Sequence, residues 1–504
     1  MRWSAGRPDG FAGRFEGETD PAVGKVVRTV ALQAGFYLLG VCAVCGLAAV
    51  PLAQLWFEER IGIPGFAAAW AAISLAWALI PPRRRFEPPG AILDWSAAPR
   101  LHQLVEEVAR ELGMSPPEET AIVPEANAMI VRRRAGFRRF HRLCLGLPLL
   151  QCLNVAELRA IVGHELGHLH HGDLRLGPWI YGSRQAIIRS LERMDRDGVG
   201  LHVLFNWYGR LYLRSSQAVS RRQELHADYL AARLCGRADV VSALRNIEKL
   251  SFSWYSYWVR ECVPVLEQGL RPPLLEGFRQ YNSIDAIRDR LDRVALERSQ
   301  TSDPYDSHPS LDERSAALTG LNGSPFGDGG GPALVLLEDS DSIEAALVRT
   351  MAISNRDFPT ISWSQVGERV WLPRWLETVQ PYESILKTVG PGNMAIAIAN
   401  LDDWAKKLRA PGPAILSPEA TRQRTLGLLG AWFAVTLGSH RWALQFAPGS
   451  EIRFTKDGHS VEPFTIVSDL REGRLTASQW NNQCLEMGLI ATRFDHETAT
   501  DQVR

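Results

Sequence analysis

From Thr29 to Leu55 the chain carries no charged side chain, and this run limits the possible folds more than any other stretch. At about 1.5 Å per residue, a helix of that length crosses a hydrocarbon core of roughly 30 Å. A second uncharged run, Ile61 to Ile80, is rich in Ala and Trp and sits near the minimum of about 20 residues for a crossing. A hairpin of buried core helices would show the same composition. A signal peptide fits poorly, because the first run starts late and is too long. Glu58, Glu59 and Arg60 lie in the turn between the runs, Lys25 and Arg28 precede them, and Arg83, Arg84 and Arg85 follow. The bias of positive charge toward the cytoplasm then places both flanks, and all that follows, on the cytoplasmic side. The expectation is a cytoplasmic tail (1–28) and two membrane helices (29–80), with Trp56 and Phe57 at an interface. The protein would be multi-pass, in the inner membrane if the source is bacterial.

Composition removes other classes. Lys plus Arg total 56 and Asp plus Glu total 56, so nothing favours nucleic acid as a partner. The seven cysteines are odd in number and scattered, unlike a disulfide framework, which fits a reducing compartment. Cys42 and Cys45 form a CxxC inside the first apolar run, where a packed helix face explains them.

The chemistry is concentrated in His164-Glu165-Leu166-Gly167-His168. Two histidines four apart share one helical face, so both imidazoles reach one zinc ion, with Glu165 beside it as a general base. Asn154 and Glu157 form a capping-box pattern at the start of this helix, and Val155, Leu158, Ile161, Val162, Leu166 and Leu169 give it a buried side. Gly167 is expected to leave room on the metal side, and Gly172 to stop the helix. His171 falls at helical spacing from both histidines, but a His near a helix end more often complements the dipole. The third ligand is expected in Ser220-Arg-Arg-Gln-Glu-Leu-His-Ala-Asp228, where Glu224 and Asp228 share a face. Glu224 would bind zinc, and Asp228 would accept a hydrogen bond from the far nitrogen of a ligating His. Alone, such a pair reads more readily as a solvated face than as a ligand and its support. Further on, Ser307-His308-Pro309-Ser310-Leu311-Asp312-Glu313-Arg314 reads either as a plain Pro-started helix or as a source of catalytic help. In the second case His308 meets a developing oxyanion and Arg314 pairs with a carboxylate.

Together, HELGH, SRRQELHAD and HPSLDER behind an apolar hairpin resemble the integral-membrane zinc metalloendopeptidases of the CAAX prenyl protease and HtpX type, over roughly residues 25 to 320. The resemblance implies one zinc per chain, ligands His164, His168 and Glu224, base Glu165, and His308 and Arg314 as transition-state helpers. It also implies that Asn127 and Ala128 lie on an edge strand beside the substrate cleft. There the family continues with aromatic or small residues, whereas this chain has Met129-Ile130-Val131 and then three arginines. A further membrane pair between the HExxH helix and Glu224 is not evident, because Arg184, Arg189, Glu192 and Arg193 are too closely spaced for lipid.

The expected fold class is α+β: a mainly helical zincin-like peptidase domain (81–322) behind the hairpin, a Gly-rich linker (323–332) and a small C-terminal α+β module (333–504) of unassigned role. A helix is expected over 95–115, a strand at Thr120–Val123, a second apolar strand or helix lead-in at Leu143–Leu150, and an aromatic-rich helical stretch from Ala238 to Gln268. In the module, Ser342–Met351 and Thr476–Gly488 read as helices. Ala443–Phe446, Ile452–Thr455 and Phe464–Val467 read as strands, with Asp457-Gly458 as a hairpin turn. The expected function is zinc-dependent endoproteolysis of membrane or membrane-adjacent proteins. Its partners are a protein or peptide substrate and the bilayer, and self-association is left open. A catalytically silent zinc-binding scaffold is the competing class. A soluble-type aminopeptidase would need a recognition site for a free amino terminus, and none is visible.

Overall fold

The computed structural model describes residues 19–79, 90–135, 138–170, 187–188, 202–300, 309–321, 331–351, 357–409 and 417–495. Packing divides the chain into two compact units. One comprises Met1–Leu250 with Arg293–Ser340, and the other Ser251–Asp292 with Asp341–Arg504. The stretch Ser251–Asp292, which precedes the Gly-rich segment in sequence, thus packs with the C-terminal residues.

The first unit opens with α1 (Thr19–Glu58) and α2 (Ile63–Leu79), which lie against each other. Close approach is built in at Gly40, where a Cβ would come within 2.5 Å of Leu79 Cδ1. The apolar segment Val27–Glu58 is long enough to cross a membrane and is only 11 % buried over its most apolar window. Leu38, Leu52, Trp56 and Phe57 on α1, and Phe66, Trp70, Ile73 and Trp77 on α2, face outward. A core helix of a soluble domain would hide such side chains. The helix α2, at 17 residues, is shorter than the apolar run that contains it.

The sheet of this unit has the order β1 (Ala91–Ile92), β2 (Glu119–Val123), β4 (Arg138–Gly146), β3 (Ala128–Ala135). Strand β2 runs parallel to β4, and β3 is an antiparallel edge strand with Ala128 opposite Leu145. Between β1 and β2, α3 (Pro99–Glu111) buries Leu101, Leu104, Val105 and Val108, which recur at helical spacing on one side. The HExxH helix α4 (Val155–His170) follows the sheet. Asn154 and Glu157 cap it reciprocally: the Glu157 amide donates to Asn154 Oδ1 at 2.8 Å, and the Asn154 amide to Glu157 Oε2 at 3.0 Å.

A 34-residue helix, α5 (His202–Cys235), joins the two ends of this unit. Its early turns place Phe205, Tyr212 and Leu213 in a cluster with Phe36 of α1 and Leu75 of α2. Its later turns lie along α4. Two glycines of α4 permit this packing. A Cβ on Gly167 would stand 3.2 Å from Ala227 Cα, and one on Gly163 would stand 2.9 Å from Leu234 Cδ1. Gly167 therefore gives room to the neighbouring helix α5, the helix that carries Glu224 and Asp228.

The second unit contains the end of α6 (Arg237–Tyr257), α7 (Leu274–Asn282), the start of α8 (Asp285–Gln300) and a C-terminal core. The Ala238–Gln268 region is helical as expected, with a five-residue π-helical segment at Trp258–Cys262. Trp254 and Tyr257 are core residues, whereas Tyr255 is 68 % exposed. After the short helix α9 (Leu311–Ala317) of the first unit, the second resumes with α10 (Ser340–Met351). Its centre is α11 (Pro418–Ser439), buried on all sides from Leu428 to Ser439. A stretch buried on every side has no periodic signature, and none is read from the sequence at Leu428–Ser439. Trp432 and Trp480 each donate an indole N–H at 2.8 Å, to the Val389 and Pro391 carbonyls respectively, so their polar ends are satisfied in the core.

Strands β5 (Ala443–Gln445), β6 (Arg453–Lys456) and β7 (His459–Val461) form an antiparallel sheet. Asp457 (φ 51) and Gly458 (φ 82) make the β6–β7 turn, as expected for an Asp-Gly pair. The expected strand at Phe464–Val467 is instead part of α12 (Pro463–Glu472). Pro463 sits at its first position with a preset φ, and Val467 is the buried contact, so a short apolar run was mistaken in its period. The last helix, α13 (Ala477–Glu486), is capped by Thr476 and followed by Gly488 at φ 68.

Candidate metal centre

Three helices supply the site. From α4, His164 and His168 project from successive turns of one face. From α5, Glu224 and Asp228 do the same. Arg314 comes from α9, whose start is fixed by a capping box between Ser310 and Glu313.

His164 Nε2 and His168 Nε2 stand 3.2 Å apart. Glu224 completes a triangle, with Oε2 3.5 Å from His164 Nε2 and Oε1 3.7 Å from His168 Nε2. Zinc–nitrogen and zinc–oxygen bonds of about 2.0–2.1 Å in a tetrahedron require ligand atoms roughly 3.3 Å apart, so the triangle fits one ion. The donor chemistry fits as well. Two imidazole nitrogens and a carboxylate converge, and such a group of lone pairs is stable only around a positive charge. His164, His168 and Glu224 form a cluster of metal-ligating type in the described residues.

The far side of His164 is tied down. Its Nδ1 lies 2.9 Å from Asp228 Oδ1, and Asp228 is fully buried. Arg314 grips the same carboxylate, donating from Nε to Oδ2 at 2.7 Å and from Nη2 to Oδ1 at 2.6 Å. With Oδ1 accepting from Nδ1, His164 holds the tautomer that leaves the Nε2 lone pair facing Glu224 and His168.

Electrostatics follow this layout. Burial disfavours an ionised Asp228, but the Arg314 and then the His164 hydrogen bonds and charges outweigh it and hold the carboxyl below its usual range. Burial also lowers the His164 pKa, yet hydrogen bonds to Asp228 and Glu224 overcome it and raise the value to about 10. The site demands a positive charge at this imidazole, which a proton or a metal ion satisfies. Burial, and then the neighbouring His164, lower His168 to about 4, so its ring is neutral near pH 7.

Glu165, next to His164 on α4, is half-buried. Asn127 and Ala128 lie at the start of the edge strand β3, which lies beside α4. The Asn127 carbonyl accepts from the Gly146 amide at 2.8 Å, and a Cβ on Gly146 would come within 2.1 Å of the Glu125 carbonyl oxygen. His308, His171 and Gly172 fall outside the described residues, as do most residues from Leu174 to Leu201.

Two further supports come from contacts between distant segments. Glu157 caps α4 and also accepts from Ser242 Oγ at 2.5 Å and Asn246 Nδ2 at 2.8 Å, tying the helix start to α6. Arg221, one turn before Glu224, pairs with Glu313 at 3.3 Å and links α5 to α9. The Arg-Arg pair ahead of Glu224 was its only visible signal.

The region that carries these residues is similar to known proteins. The model of peptidase family M48 matches residues 96–322. The protease HtpX of Pseudomonas putida is 27 % identical over 238 residues, covering 43 % of this chain and 70 % of that relative. The protease HtpX of Stutzerimonas stutzeri is 25 % identical over 238 residues, 43 % of this chain and 71 % of its own. Protease HtpX homolog 1 of Sulfurisphaera tokodaii is 36 % identical over 78 residues, 15 % of this chain and 24 % of its own. No solved structure matches the chain.

Proposed function

Because this chain belongs, through residues 96–322, to peptidase family M48, we propose that it is a membrane-anchored, zinc-dependent endopeptidase acting on membrane or membrane-adjacent proteins. The observation that carries the zinc centre is the triangle of His164 Nε2, His168 Nε2 and Glu224, with sides of 3.2, 3.5 and 3.7 Å.

In this reading His164, His168 and Glu224 hold the metal. When bound, zinc supplies Lewis acidity toward a water and a scissile carbonyl. Glu165 takes a proton from the attacking water and returns it to the leaving amine. Asp228 orients His164, and Arg314 keeps Asp228 charged and in place. Arg314 therefore acts on the reaction through Asp228. His308 is proposed to donate to the oxyanion. The edge strand β3, from Ala128 onward, is proposed to pair with an extended substrate, with Asn127 at its entry.

The outward apolar faces of α1 and α2 support anchoring in a bilayer by both helices. The charges at the turn and flanks favour a cytoplasmic catalytic region.

The test is proteolysis of an unfolded protein by the detergent-purified chain, beside Glu165→Gln. Cleavage by wild type alone, lost on chelation and restored by zinc, is expected. Stoichiometric zinc without cleavage in either form would favour a silent scaffold.

A further inference from the structure

The second unit contains a cavity of about 170 Å³ far in sequence from the HExxH motif. Ser256, Arg260, Glu261, Tyr281, Arg290 and Gly449 are among its lining residues.

Its construction is specific. Arg260 and Glu261 sit on the π-helical segment, where the Val263 amide donates to the Trp258 carbonyl five residues back. Such segments pack less well than α-helix and recur at functional sites. Gly449, at φ 76, brings its backbone N–H to 3.2 Å from Glu261 Oε1. A Cβ there would lie 2.7 Å from both Tyr281 Cδ2 and Ile287 Cδ1, so only glycine admits this approach.

The lining is rich in donors. Among the described residues neither Arg260 nor Arg290 makes an ion pair, whereas Arg288, two positions away, pairs with Asp285. Tyr281 donates its hydroxyl to Ser256 Oγ at 2.9 Å, which leaves the Ser256 proton to be donated elsewhere. Two guanidinium groups and a hydroxyl donor at one small cavity match the acceptor oxygens of a tetrahedral oxyanion.

We propose that this cavity binds the phosphate group of a small ligand, with Arg260, Arg290 and Ser256 donating to its oxygens and Glu261 acting as a proton-dependent gate. Burial raises the Glu261 carboxyl to about 7, against lowering by the Gly449 amide and Arg260. The other charged or titratable groups around it are Arg290, Tyr281, Tyr257 and Cys262. Protonation removes the one negative charge from the lining and adds a donor, so an anion binds better at pH 6 than at pH 8.

The test uses the full-length chain in detergent and measures binding by calorimetry at constant ionic strength. Inorganic phosphate is the affinity probe. Sulfate, which does not titrate between pH 6 and 8, is the pH probe. Saturable binding is expected, weakened at least tenfold in Arg260→Gln/Arg290→Gln and unchanged in Arg288→Gln. Sulfate binding should weaken from pH 6 to pH 8 in wild type and be level in Glu261→Gln. Non-saturable binding, or equal binding by wild type and the double variant, overturns the site. A pH dependence that survives Glu261→Gln overturns the gate. Glu165→Gln should bind as wild type does, which separates this site from the proposed peptidase centre.

Discussion

Arg314 holds Asp228 with two nitrogens, at 2.6 and 2.7 Å, and so fixes the carboxylate that orients His164 from behind. Losing such an outer partner typically weakens metal affinity by about 10–100-fold. Asp228→Asn keeps the shape but not the charge. Its zinc affinity, measured by chelator competition, should fall within that range while far-ultraviolet dichroism stays native. Wild-type affinity would remove Asp228 from the site's support.

Glu224 and Glu165 have separable roles in the proposed mechanism. Glu224→Ala should lose zinc, and Glu165→Gln should retain it with turnover reduced by at least a thousandfold. Metal content by elemental analysis, read beside peptide hydrolysis, tells them apart. Full metal content in Glu224→Ala would exclude it as a ligand.

The two glycines of α4 should respond differently to alanine. At Gly167 the new methyl meets backbone, 3.2 Å from Ala227 Cα, so α5 must shift. Overpacking costs about 1–3 kcal/mol and outweighs a helix-propensity gain of about 1 kcal/mol. Because Glu224 lies on α5, zinc affinity should fall as well. At Gly163 the obstacle is the tip of Leu234, which can swing away, so the change should be near neutral. Denaturant unfolding of the two variants gives the comparison.

Stability should depend on pH through Glu261, raised from 4.5 to about 7 by burial. Below 4.5 the folded and unfolded chains both hold its proton, and burial carries no charge penalty. Between 4.5 and about 7 only the folded chain holds it, so stability falls as pH rises, and the loss persists above that window. Glu261→Gln should remove this part of the slope. Melting temperatures of both forms from pH 4.5 to 8 test it, and parallel curves would refute the assignment.

Membrane insertion has a direct chemical test. Cys42 and Cys45 are exposed at the protein surface on α1. If α1 spans lipid, a membrane-impermeant maleimide should leave both unlabelled in intact vesicles, while Glu59→Cys in the turn labels from the non-cytoplasmic side. Rapid labelling of Cys42 would place α1 in water.

Local signals made much of this legible in sequence. The capping box of α4, the Asp-Gly turn after β6, the amphipathic stripe of α3 and the apolar length of α1 are each set by neighbours a few residues apart. The candidate ligands were legible for the same reason, since residues four apart must share a helical face. The run Phe464–Val467 was misread because so short a run, three apolar residues and Thr465, suits either period, and Pro463 decided for helix. The second half of α11, Leu428–Ser439, escaped because burial on every side erases periodicity.

The sequence by itself determined which residues are candidate metal ligands, and that a long uncharged run precedes them. Tertiary structure decided that Glu224, sixty residues after His164 in the chain, closes the triangle, and that Arg314 reaches Asp228 from a third helix. It also gave Gly167 its role, as the gap that lets α5 approach α4. Pairings between distant segments depend on how whole helices pack, and helix packing is set by shape and burial summed over many residues, which no short window of sequence contains.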